Sequence, residues 1–120
     1  MNKSAIPNLV VGFTRGRIRV PKRALRMMGC PSYIRLLINT EERYVAIAPG
    51  EEGDSKSYRV PDYIYTSGSS FEVSSLALIQ QIKLYCEYGA DIHVCSLKPR
   101  ACLDNHFVIF SFPEEDQNVE

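Results

Sequence analysis

Arg15, Arg17, Arg19, Lys22, Arg23 and Arg26 place six positive charges within twelve consecutive positions of a 120-residue chain whose net charge is zero. The chemistry open to such a cluster is anion binding. Each phosphate neutralised by Lys or Arg releases condensed counterions, so the gain depends on local clustering and not on net protein charge. The guanidinium is also a planar fork that can reach guanine edges in a major groove, so one patch can both position a duplex and read it.

The cluster belongs to a wider segregation of charge. Residues 1–40 contain eight Lys or Arg and no Asp or Glu, whereas residues 41–120 hold the remaining six basic and all fourteen acidic side chains. A positive face is therefore expected despite a neutral average, and its natural partner is double-stranded DNA. Solvated arginines on a strand edge are common, but mixed-sign surfaces are the usual route to solubility, which leaves forty residues without an acid in need of a reason.

Other chemistry-bearing residues are weaker candidates. Cys86, Cys95 and Cys102, with His93 and His106 as bases, sit among apolar neighbours, and neither a catalytic Ser, His, Asp order nor a glycine-rich phosphate loop is present. The sequence thus gives no catalytic residue and no enzyme. His93 and Cys95 fall on one strand face, with Cys102 and His106 on a neighbouring strand, but the spacing fits no established zinc pattern, so neither metal nor cofactor is expected. With Cys30, the four cysteines read as buried thiols and not as a disulfide framework.

The elements that position the basic cluster follow from periodicity. Leu9–Phe13 is β-rich, and Thr14-Arg15-Gly16 turns into a strand over 17–20 in which Ile18 and Val20 face one way and Arg17 and Arg19 the other. Pro21 opens a two-turn helix and Gly29 ends it, with Ala24, Leu25 and Met28 as the buried stripe and Lys22, Arg23 and Arg26 facing solvent. Tyr33–Asn39 and Arg43–Ala48 form a hairpin across a turn at 40–42, and Tyr58–Val60 is a short edge strand. Residues 62–69 read as irregular.

A second series begins at Phe71. Phe71 and Val73 alternate with polar neighbours, Ser74 or Ser75 caps a helix carrying Leu78, Ile79, Ile82 and Cys86, and Gly89 ends it. Asp91–Leu97 is a strand, residues 98–105 a loop around Pro99, and His106–Phe112 an apolar strand. Ile18, Val20 and Leu25 match Phe71, Val73 and Leu78 at an offset of 53, and Tyr44-Val45 matches Phe107-Val108 at 63. The expected fold is α+β: an internal repeat of two diverged strand-helix-hairpin (β-α-β-β) units packed as one domain. The divisions are a basic unit at 1–49, an acidic linker at 50–70, a second unit at 71–113 and a disordered acidic tail at 114–120.

The stretch "GRIRVPKRALRMMG" followed by "YIRLLINTEERYVAIAP" resembles the swapped-hairpin DNA-binding domain of AbrB transition-state regulators and their MraZ-like and antitoxin relatives. The shared pattern, over residues 9–49, is a glycine-basic turn, a strand ending in Pro, a short basic helix ending in Gly, and a hairpin. The resemblance implies a homodimer with interleaved hairpins and basic loop and helix residues in the DNA groove. Arg17 matches the basic residue after the turn glycine, and Arg26 a basic residue near the helix end.

Two functions from different classes are therefore carried forward. One is a homodimeric DNA-binding transcription regulator using Arg15, Arg17, Arg19, Lys22, Arg23 and Arg26. The other is a non-catalytic protein-interaction module whose basic half docks on an acidic protein partner or on another copy. No apolar run is long enough to span a bilayer and no signal-peptide h-region is present at the N-terminus, so no membrane association and a cytoplasmic location are expected.

Overall fold

A computed structural model of the chain describes residues 6–68, 70–86, 93–103 and 107–112. Gly89, His106, the Cys86 and Cys102 side chains and the 114–120 tail lie outside the described residues. The strands are β1 (Leu9–Gly12), β2 (Arg17–Val20), β3 (Tyr33–Asn39), β4 (Tyr44–Pro49), β5 (Tyr58–Arg59), β6 (Phe71–Val73), β7 (Val94–Leu103) and β8 (Phe107–Ser111). They form one antiparallel sheet in the order β5-β3-β4-β8-β7-β1-β2-β6, curled into a nearly closed barrel. The helices α1 (Lys22–Met27), α2 (Tyr63–Thr66) and α3 (Leu76–Cys86) are small beside it.

This overturns the expected α+β pair of strand-helix-hairpin units. The order of elements recurs along the chain, but the strands do not stay with their own unit. β2 leaves its half and pairs with β6, with Ile18 opposite Val73 and Val20 opposite Phe71. β4 likewise pairs with β8, with Val45 opposite Phe110 and Ile47 opposite Val108. β1 pairs with both β2 and β7 and so joins the β2–β6 pair to the rest of the sheet. Hydrogen bonding between halves thus replaces packing of one half on another, and one core cluster draws buried side chains from both.

That interior follows from strand alternation. Leu9 and Val11, Ile18 and Val20, Val45 and Ile47, Cys95 and Leu97, and Val108 and Phe110 all point inward and are buried. Residues 50–70 also contribute to it. Val60 and Ile64 are buried in the same cluster, so β5 and α2 are part of the wall. α2 falls where irregular chain was expected, because a single turn is too short to show a helical period. It is held by burial of Ile64 and by the Tyr65 hydroxyl, which donates to the Pro31 carbonyl at 2.7 Å.

β7 also departs from expectation. It runs on through the predicted loop to Leu103, because the register shifts between Pro99 and Ala101. A bulge is one of the few places a sheet tolerates proline. Cys30 departs too: it is exposed, while Cys95 is buried.

Tyr65 carries a pH signature. Burial, and secondly the nearby Cys30 thiolate, push its hydroxyl up to about 12 from an ordinary 10.0. A folded value above the unfolded one stabilises the protein fully below pH 10, and that contribution disappears as the pH rises through 12. Tyrosinate absorbance should show one tyrosine ionising later than the rest. Its late step should shift back toward the others on denaturation.

Candidate nucleic-acid interface

α1 is only six residues long, too short to persist alone, so packing must hold it. Ala24 and Leu25 are fully buried and Met28 nearly so, as the apolar stripe requires. Its C-terminus is locked by two crossing hydrogen bonds: the Cys30 N–H donates to the Leu25 carbonyl and the Gly29 N–H to that of Arg26, both at 3.0 Å. The reversal needs Gly29 at φ +89°. A Cβ there would meet no atom within 4 Å, so the cost of Gly29→Ala is backbone strain alone. We expect a loss of about 1–2 kcal/mol by chemical denaturation.

With the stripe buried, the cations have one direction left. Arg17 and Arg19 alternate outward from β2, Arg15 stands on the exposed β1–β2 turn, and Arg23 and Arg26 are exposed on α1, with Lys22 half-buried at its start. All but Arg15 are linked in a chain of neighbours. Glu72 on β6 lies directly across from Arg19, and its two carboxylate oxygens reach Arg17 Nη1 at 3.2 Å and Arg19 Nε at 3.6 Å. Arg19 and Lys22 line a common cleft. Lys22 Nζ donates to the Ser67 carbonyl at 2.6 Å and Arg26 Nη2 to the Tyr65 carbonyl at 3.3 Å, both near the end of α2. Arg23, Arg26 and Met27 then line a depression of about 270 Å³ on the outer side of α1.

The electrostatics favour an anion. Among the described residues, Glu72 is the one carboxylate in ionic contact with these six side chains, and Arg15 and Arg23 make no hydrogen bond or ion pair. Exposed pairs such as Arg17–Glu72 are worth about 0–1 kcal/mol, so phosphate can displace or share them. Carbonyl contacts leave the charges of Lys22 and Arg26 uncompensated. The seventh basic residue of the opening segment with a defined position, Arg35, is elsewhere: it lies on β3 with Nε 3.6 Å from Asp54 Oδ2. The backbone N–H of Lys56, with the Arg35 charge and the Ser57 hydroxyl assisting, holds the Asp54 carboxyl below its ordinary value.

Glu72 was missed as a member of this surface. Its outward direction is legible from Phe71-Glu72-Val73, but its place beside the arginines needs the β2–β6 pairing, for which no local signal exists. His93 is exposed just ahead of β7, with Nδ1 in hydrogen-bond contact with Thr14 Oγ1 at 3.2 Å, while Cys95, two residues on, is buried. Among the described residues no three His, Cys, Asp or Glu side chains come together as metal ligands. Nor is any helix among them long and apolar enough to cross a membrane.

The chain matches no protein-family model, no curated protein and no solved structure. Function must therefore be argued from this surface.

Proposed function

We propose that the chain is a DNA-binding transcription regulator, acting in the cytoplasm as a homodimer, whose β2–α1 ridge lies against the duplex. Arg15, Arg17, Arg19, Arg23 and Arg26 hold phosphates as α1 lies along the groove, and Lys22 supports its approach. One observation carries the reading: five neighbouring cations along β2 and α1, with Arg15 on the adjoining turn and one carboxylate in ionic contact with them. The AbrB/MraZ-like resemblance enters for residues 9–49 alone, where strand, basic turn, strand, basic helix and hairpin follow in that order. Interleaving between chains is not needed to complete the sheet, since β6 and β8 of the same chain supply the partners of β2 and β4.

The experiment is fluorescence anisotropy of a labelled mixed-sequence duplex across a salt series. Engagement of about five phosphates gives log K falling against log salt with a slope of about −4.5. Undetectable binding at low salt removes the proposal.

A second reading is an interaction module docking its ridge on acidic protein surface. It is favoured by exposed Glu51 and Glu52, whose side chains make no hydrogen bond or ion pair among the described residues. Salt-sensitive self-assembly without DNA, seen by size-exclusion chromatography, would select it.

A further inference from the structure

The ridge contains a feature that phosphate contacts leave unused. Between β1, β2 and the start of α1 lies an open cleft of about 320 Å³. That is at the lower end of the range for small-molecule sites, about 300–1,000 Å³. Its apolar lining includes Pro7 and Val10, with the buried Val20 and Pro21 behind them, and its charged lining residues among the described residues are Arg19 and Lys22. Among the described residues, no Asp or Glu lines it.

We propose that this cleft binds a small amphiphile bearing one carboxylate. The apolar walls would be of no use to a phosphodiester backbone, but they suit a short alkyl or ring body. The prolines restrict the backbone on two sides, which limits the ordering cost of binding. The donors are available. Glu72 takes Arg19 through Nε, which leaves the terminal nitrogens of the guanidinium, the pair that meets a carboxylate bidentately. Lys22 gives one of its three N–H groups to the Ser67 carbonyl and keeps two. A neutral molecule of the same shape would bury the same apolar area and leave both cations unanswered. A dianion would overfill a site in which Glu72 already draws on Arg19.

The occupant uses two of the six ridge cations. Resting on the DNA-binding reading, it follows that ligand and duplex compete, and the cleft becomes the means by which a metabolite releases DNA. The site itself does not depend on that reading.

The test is an NMR titration of the full chain with octanoate and, separately, 1-octanol, without DNA. Octanoate should give saturable amide shifts at Val10, Arg19, Val20 and Lys22, and octanol should bind at least about tenfold more weakly, as loss of a charge-assisted contact implies. Arg19→Ala and Lys22→Ala should each weaken octanoate while leaving the remaining spectrum in place. Equal binding of octanol, saturable shifts centred elsewhere, no saturable shift, or unchanged affinity in the Arg19→Ala/Lys22→Ala double variant would each overturn the proposal. Duplex DNA is then added to the octanoate complex. Octanoate binding with no duplex binding leaves the cleft standing and removes the regulator; duplex binding by a chain that shows no saturable octanoate shift does the reverse, and simultaneous binding of both removes the competition.

Discussion

Replacing Arg17, Arg23 and Arg26 together by alanine is expected to weaken duplex binding several hundred-fold while leaving the fold intact. Each lost phosphate contact forfeits release of about 0.9 counterion, worth roughly 1.2 kcal/mol at about 0.1 M salt, so three sum to about 3–4 kcal/mol. The salt slope should flatten by about 3 at the same time, a readout that general destabilisation would not produce. All three side chains are exposed, and the contacts removed are surface ones to Glu72 and the Tyr65 carbonyl. Stability should therefore change by no more than about 1 kcal/mol. Glu72→Gln should act in the opposite direction. It deletes the single carboxylate among these cations and should tighten binding and steepen the slope. Anisotropy across salt, with urea denaturation in parallel, checks both variants.

The largest effect on stability is expected at Phe110. It is fully buried on β8, and its strand neighbour across the β4–β8 ladder is Val45, so its ring lies where the two halves of the chain meet. Phe110→Ala should cost about 3–5 kcal/mol, the sum of lost transfer energy and the cavity left behind. That is a large share of the about 5–15 kcal/mol available to a typical domain. Leu84 on α3 is the contrast. It is 73% exposed, and Leu84→Ala should change stability by less than about 0.5 kcal/mol. Chemical denaturation should also show one transition for wild type, since β2–β6 and β4–β8 tie the halves into a single core. A separate early transition for residues 9–49 would contradict this.

Local signals carried well here, and long-range pairing did not. The alternation Arg17-Ile18-Arg19-Val20, the stripe Ala24, Leu25 and Met28, and the Gly29 stop all appear in the structure where period and turn chemistry place them. So does β3, from Tyr33 to Asn39, and the cap at Ser75, whose Oγ accepts the Leu78 N–H at 3.3 Å. The barrel was not legible, because nothing in "RIRV" or "FEV" says that each strand's partner is the other. Two matching segments read as two units whether they stack or exchange strands, and only the ladder between Ile18 and Val73 distinguishes the cases. Pro99 misled for a related reason: it ends most strands, and the bulge that accommodates it depends on β8 lying alongside. For the candidate site, the six cations and their outward direction were readable; Glu72 and the cleft beside Arg19 and Lys22 were products of the same hidden pairing.

The β2–α1 cations are the side chains that DNA is proposed to touch. Arginine modification by phenylglyoxal, read by mass spectrometry with and without duplex, measures this at the side chains themselves. Bound DNA is predicted to protect Arg15, Arg17, Arg19, Arg23 and Arg26 while leaving Arg59 on β5 and Arg100 on β7, both exposed, as reactive as before. Uniform reactivity in the presence of bound duplex, or protection centred on Arg59 and Arg100, would contradict it.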